Sequence, residues 1–332
     1  MKRILLIHTG GTFGMVPIEP SKTLAPADIQ NHILAHVPEI TRIADVEFKL
    51  AFNIDSANIQ ISHWQKLAKI IYQNYSLFDG FVIIHGTDAM VYTASALSYM
   101  LRGLSKPVIL TGSQRPLSQI RSDARSNLIN SMELATYNIP EVTIFFGTRL
   151  YRGNRTIKIS STHDDAFASP NFPPLAEVGL DISISEGTLQ AKDSLIYENK
   201  FDSHVFCMQF YPGLPPNYLD CIVESPIQAV VVKALGAGNL AVQENSLIPW
   251  IKKMNRSNKI IVMGSQSPYG RVNLDLYESG KMAQDAGGIS SQDMTNPATI
   301  VKLMFLLGQN RHQTDIIKKK LLEPLSGEIT LR

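Results

Sequence analysis

Cysteine is scarce in this chain of 332 residues, which holds only Cys207 and Cys221. Two thiols cannot build a disulfide framework or a four-thiolate zinc site, so both read as free thiols in a reducing compartment. An excess of one charge is missing as well. Lys and Arg number 31 against 29 Asp and Glu, a formal net charge of +2, which supplies no broad cationic field for nucleic acid. Long apolar runs are also absent. The run Ile4–Ile7 behind Met1-Lys2-Arg3 stops at His8-Thr9-Gly10-Gly11, which marks a strand and not an export signal. No stretch reaches the roughly 18 apolar residues that a bilayer-spanning helix needs. The expectation is a soluble, cytoplasmic protein with neither a membrane nor a nucleic-acid partner.

Several motifs that would fix a chemistry are lacking too. His32 and His36 stand four apart on an expected helix, but no Glu follows His32, so the zinc-protease pattern fails and no metal is implied. Gly10-Gly11-x-x-Gly14 lacks the spacing of the nicotinamide fingerprint. There is no G-x-S-x-G elbow, no repeat of solenoid length, and no cofactor is expected.

What is present is a repeated α/β grammar. Short Ile- and Val-rich runs end in Gly beside a hydroxyl residue: Ile4–Ile7 before Thr9-Gly10-Gly11-Thr12, Phe81–Ile84 before His85-Gly86-Thr87, Val108–Leu110 before Thr111-Gly112-Ser113, Val142–Phe146 before Gly147-Thr148, and Ile260–Met263 before Gly264-Ser265. Unalternated runs of this length suit parallel strands covered on both faces. Helical patterns lie over 88–101 and over 122–137, the latter opening on Ser122-Asp123 as a cap and acidic first turn. The breaker cluster Tyr211–Pro216 marks a boundary, and strands over 229–232 and 260–263 with helices over 298–307 and 314–322 form a second unit. The expected architecture is a two-domain α/β protein with a larger N-terminal parallel-sheet domain over 1–188, a linker over 189–212 and a smaller C-terminal domain over 213–332.

The glycine turns fall at the carboxyl ends of strands, where open parallel sheets bind ligands. Thr12, behind two glycines, has a nucleophile's position, though a tight turn with a capping threonine has the same local pattern. Thr87 and Asp88 add a hydroxyl and a carboxylate to the same edge, while a carboxylate at a helix start also simply complements the dipole. Asp55-Ser56-Ala57-Asn58 alone is an Asx-type turn. Lys158 alone is a solvated outward lysine, unless burial beside a carboxylate and a threonine gives it a part in proton transfer.

Taken together, Thr9-Gly10-Gly11-Thr12-Phe13-Gly14-Met15 and His85-Gly86-Thr87-Asp88-Ala89-Met90, about 75 residues apart, resemble the two signatures of the bacterial type I, cytoplasmic L-asparaginases. The resemblance extends to Thr111–Pro116, Arg152-Gly153-Asn154-Arg155, Ala166–Asn171, Pro173-Pro174-Leu175 and Gly236–Asn239, and so spans nearly the whole chain. It implies an amidohydrolase converting L-asparagine and water to L-aspartate and ammonia through a threonine acyl-enzyme. Thr12 is then the nucleophile, with Thr87, Asp88 and Lys158 as a second hydrogen-bonded set. Gly11, Asp55, Ser56, Ala57, Gly86, Thr87, Asp88 and Ser113 are expected around the substrate: Asp88 for its ammonium, Ser56 for its carboxylate, and the Ser113 main-chain carbonyl for its amide nitrogen. Backbone N–H groups near Gly86-Thr87, or in the Gly11-Thr12 turn, are candidates for the oxyanion hole.

The resemblance also implies a homodimer or a dimer of dimers, with the site between the two domains. Lys233 opens the segment that matches a separate asparagine effector site. One departure stands out: members of the family carry a tyrosine in the loop after the first signature, and residues 13–30 contain none, with Leu24 near its place. The loop 14–27, with Pro17, Pro20 and Pro26, is expected to be a mobile lid. The alternatives are a glutaminase-type amidase, an amidase acting on a charged transfer RNA, and an asparagine- or aspartate-binding protein without turnover.

Overall fold

The computed structural model describes residues 1–18, 23–26, 29–192, 194–310 and 313–331, and their side chains outside 15–29. Two compact units result, Met1–Asn199 and Lys200–Arg332.

The first unit is built on strands β1 (Arg3–Gly10), β2 (Asp45–Ile54), β3 (Gly80–Ile84), β4 (Val108–Thr111), β5 (Val142–Phe146), β6 (Arg149–Arg152), β7 (Ala176–Val178) and β8 (Ile182–Ile184). They form one sheet in the order β8-β7-β6-β5-β4-β3-β1-β2. From β2 to β5 the pairings are parallel. Strands β3, β4 and β5 are buried at every position, as their unbroken apolar runs require of strands covered on both faces. At the other edge β6, β7 and β8 are antiparallel. The expected parallel sheet is therefore mostly parallel, because the tight turn at Gly147, with φ +64°, returns the chain beside β5 without a crossover helix.

Helices α1 (Ile61–Asn74), α2 (Met90–Met100) and α3 (Ala124–Leu134) belong to this unit. Helix α2 is apolar nearly all round and correspondingly buried, as a helix without a polar face has to be. It begins two residues later than its sequence pattern suggests, since Asp88 and Ala89 still belong to the turn. Strand β2 lies at the edge and is exposed or half-buried at every position but Ala51. From β1 the chain passes to β2 on one side and then to β3 on the other. The carboxyl ends of β1 and β3 thus flank the point where strand order reverses, the crevice in which open α/β sheets hold ligands.

The second unit has strands β9 (Val205–Gln209), β10 (Ala229–Ala234), β11 (Ile260–Ser265) and β12 (Gly288–Ser290) in sequential, all-parallel order. Helices α4 (Ile248–Arg256), α5 (Asn296–Gln309) and α6 (Thr314–Leu321) accompany them. Val230, Val232, Ile251, Met254, Ile261 and Met263 share its core. Strand β9 lies inside the stretch read from sequence as a linker; its run Val205–Met208 ends in Gln209-Phe210 and lacks the Gly-and-hydroxyl turn that marks β1, β3, β4, β5 and β11. In α5 the ammonium of the fully buried Lys302 meets Glu328 Oε1 at 2.6 Å and the carbonyls of Leu321 and Glu323 at 2.9 and 2.6 Å. Among the described residues, no helix is long and apolar enough to cross a membrane.

Candidate active site

Two glycine turns meet at the strand-order reversal. Gly10 and Gly11 have φ of +104° and +84°, a region that side chains rarely adopt. A Cβ on Gly11 would stand 2.5 Å from Gly86 Cα, and one on Gly86 would stand 2.6 Å from Ser56 Oγ. The Gly11 N–H donates to Ile54 O at 3.2 Å. Three segments expected around the substrate, at 11–12, 55–57 and 86–88, are therefore in close contact, Gly11 against the Gly86 backbone and Gly86 against the Ser56 side chain. Thr12 is half-buried and opens a short 3-10 turn, Thr12–Gly14, whose Phe13 is buried. Asp55 is exposed and caps its own turn, accepting from Ala57 N at 2.9 Å. Ser56 is buried, and its Oγ accepts from Ala89 N at 3.4 Å.

Lys158 is not a solvated lysine. Its side chain is 17% exposed, against 69% for Asp88, and Nζ donates to Thr87 Oγ1 at 2.8 Å and to Asp88 Oδ1 at 2.6 Å. A two-residue strand, Ile157–Lys158, presents it, paired antiparallel with Phe167–Ala168. Phe167 is buried against Phe146, with ring centroids 5.0 Å apart. The preceding Arg152–Arg155 segment is structural. Arg152 Nε is 2.6 Å from Glu141 Oε2, both groups are buried, and the guanidinium carbon lies 4.2 Å from the centroid of the Phe172 ring.

Asp123 and Gln114 belong to the site's frame, and the sequence reading missed both roles. Asp123 stands at the N-cap position of α3, but its side chain makes no cap hydrogen bond. Its carboxylate accepts from Gln114 N at 3.1 and 3.0 Å, from Arg115 N at 3.1 Å and from Asn127 Nδ2 at 3.1 Å; burial pushes its pKa up. Asn127 also donates to Gly112 O at 2.9 Å. So braced, the loop sends the Gln114 amide to His163 O at 3.2 Å and Ser160 O at 3.4 Å, which leaves Gln114 Oε1 as the acceptor for the Thr87 hydroxyl at 3.4 Å. Thr87 Oγ1 thus donates a hydrogen bond to Gln114 Oε1 and accepts one from Lys158 Nζ. Ser113 turns its hydroxyl back to Arg115 O at 2.6 Å.

Of the remaining expectations, Leu24 lies in a short strand, Thr23–Pro26, paired antiparallel with Met15–Ile18 so that Pro17 faces Leu24. Its side chain, and residues 19–22 and 27 of the expected lid, are outside the described residues. Lys233 lies in β10, where Nζ donates to Gln209 Oε1 at 3.4 Å. The His32 and His36 rings lie 4.3 Å apart between centroids, tilted at 42° to one another. No cluster of three metal-ligating side chains occurs among the described residues. Cys207 and Cys221 are free thiols.

Comparison with known proteins agrees with this geometry. The family model for the asparaginase N-terminal domain matches residues 3–190, and that for the glutaminase/asparaginase C-terminal domain matches 204–319. The chain is 38% identical to L-asparaginase 1 of Escherichia coli (strain K12) over 335 aligned residues, covering 99% of this chain and 98% of that protein. Among solved structures, the thermostable L-asparaginase from Thermococcus kodakarensis matches with a TM-score of 0.92 at 31% identity, covering 99% of this chain and 100% of that one. L-asparaginase I from Vibrio cholerae O1 biovar eltor str. N16961 matches with a TM-score of 0.89 at 36% identity, covering 99% of each chain. Two glycine turns at a strand-order reversal, a lysine held between a threonine and an aspartate, and full-length matches in sequence and structure lead to one assignment: the chain belongs to the asparaginase family.

Proposed function

We propose that this chain hydrolyses the side-chain amide of L-asparagine with Thr12 as nucleophile and with Thr87, Asp88 and Lys158 as the groups that handle protons and charge around it. The activity is that of an L-asparaginase, an amidohydrolase releasing L-aspartate and ammonia. The observation that carries the site assignment is the double hydrogen bond from Lys158 Nζ to Thr87 Oγ1 and Asp88 Oδ1. It gives a half-buried ammonium two fixed partners beside the turn that bears Thr12.

Attack joins Thr12 Oγ1 to the amide carbon and puts negative charge on the amide oxygen. Collapse breaks the C–N bond, and ammonia leaves with the proton given up by Thr12. Water then cleaves the ester, and one of its protons restores the Thr12 hydroxyl. The Lys158–Thr87 contact offers a short path for these transfers. Asp88 spends Oδ1 on Lys158 and keeps Oδ2 for the substrate ammonium. Ser56 Oγ, accepting from Ala89 N, retains its own proton for the substrate carboxylate. We place the enzyme in the cytoplasm and read its working form as a homodimer or dimer of dimers, on its likeness to the type I enzymes.

Steady-state ammonia release from asparagine and from glutamine, with the Thr12→Val variant beside the parent, tests this. Asparagine should be the better substrate, and the variant should lose on the order of 10³-fold or more in kcat while remaining folded, as loss of a covalent nucleophile does. A variant near the parental rate would overturn the assignment of Thr12. A parent that binds aspartate without releasing ammonia would favour a binding protein.

A further inference from the structure

His85 lies beneath the second glycine turn, 1% exposed. Its Nδ1 stands 2.7 Å from Gly86 O, and a carbonyl only accepts, so Nδ1 carries a proton. Burial holds the imidazole near a pKa of about 4; the ring is neutral at pH 7, and Nε2 is left as an acceptor. Thr93 Oγ1, 3.0 Å from Nε2, must then donate to it. The same Oγ1 accepts from Trp64 Nε1–H at 3.1 Å. From the indole to Gly86 O, each of these polar atoms has a single role open to it.

A trans peptide unit turns its C=O and its N–H to opposite sides. Gly86 O is held inward by His85, so the N–H of the same peptide, which belongs to Thr87, is turned out of the core. Among the described residues that N–H meets no acceptor. Gly86 cannot fix this orientation itself, because a residue without Cβ passes easily between backbone conformations. A Cβ there is in turn excluded by Ser56. We propose that His85 is a positioning residue that sets the Gly86–Thr87 peptide, so that the Thr87 N–H is presented to the substrate oxygen that becomes negative during attack, while Thr93 and Trp64 lock the imidazole tautomer. This rests on the reading of Thr12 as the nucleophile.

Asparagine turnover, aspartate affinity by calorimetry and thermal unfolding are compared for the parent, His85→Leu, His85→Asn and Thr93→Val; ¹⁵N chemical shifts report the tautomer in the parent. His85→Leu should lose about 10- to 100-fold in kcat, short of or at the cost of removing an oxyanion donor outright, with KM and aspartate affinity little changed. His85→Asn, whose amide donor takes the place of Nδ1–H, should recover most of kcat. The parent should show the Nδ1–H form. Should His85→Leu fail to fold, Thr93→Val carries the test, with kcat falling and KM held. Unchanged kcat in the folded variants, equal losses in His85→Leu and His85→Asn, or an Nε2–H tautomer would overturn the positioning role alone. A parent that releases no ammonia would contradict the nucleophile assignment, and with it any use for the donor.

Discussion

His8 and His85 are buried side chains whose surroundings shift their acid–base behaviour, and neither is among the site residues expected from the sequence. Both are buried, and desolvation lowers each pKa from 6.5 to about 4. Above pH 6.5 they are neutral whether the chain is folded or not. Between 6.5 and 4 the unfolded chain takes up two protons that the folded chain refuses, so stability falls as pH falls. Linkage puts the loss at pH 5 at about 2 kcal/mol per histidine. Urea unfolding at pH 7 and pH 5 should therefore show a lower midpoint at pH 5, with part of the difference removed in His8→Gln. A midpoint that does not move would mean that these rings gain their protons inside the fold as readily as outside it.

At the level of elements, β5 and β6 are joined by a buried ion pair. Glu141, just before β5, holds Arg152, the last residue of β6, and its Oε1 also accepts from Leu189 N at 2.8 Å, while Arg152 donates to Gly187 O at 2.8 Å. Removing one partner strands the other charge. Glu141→Ala should cost about 3–5 kcal/mol, whereas Glu141→Leu with Arg152→Met should cost far less; chemical denaturation of both variants decides this. Equal losses would mean that the charges matter less than the space they fill. The turns bearing Thr12 and Thr87 were legible in the sequence because an unbroken apolar run followed by Gly and a hydroxyl residue is a local signal. The braces of those turns were not. Asp123 reads locally as the start of α3, yet its carboxylate serves Gln114 and Arg115, nine and eight residues earlier. Lys158 likewise reads as an outward lysine, because its burial comes from Thr87 and Asp88, some 70 residues away.

Across the whole molecule, the division into two α/β units was legible because each contributes its own unbroken apolar strands. Three features were not. The antiparallel edge of the larger sheet depends on one tight turn at Gly147, β9 lacks the closing Gly-and-hydroxyl turn, and the Lys302–Glu328 pair joins residues that no local spacing relates. Strand order does what no single motif can: it carries the chain to opposite sides of β1, so that the turns after β1 and β3 meet at one crevice. The central claim, that Thr12 is acylated by the substrate, is tested most directly by quenching turnover on the millisecond scale and mapping the modified peptide by mass spectrometry. An aspartyl ester on Thr12 is expected, with none on Thr87 and no ester in Thr12→Val. An ester on Thr87, or rapid turnover by Thr12→Val, would contradict it.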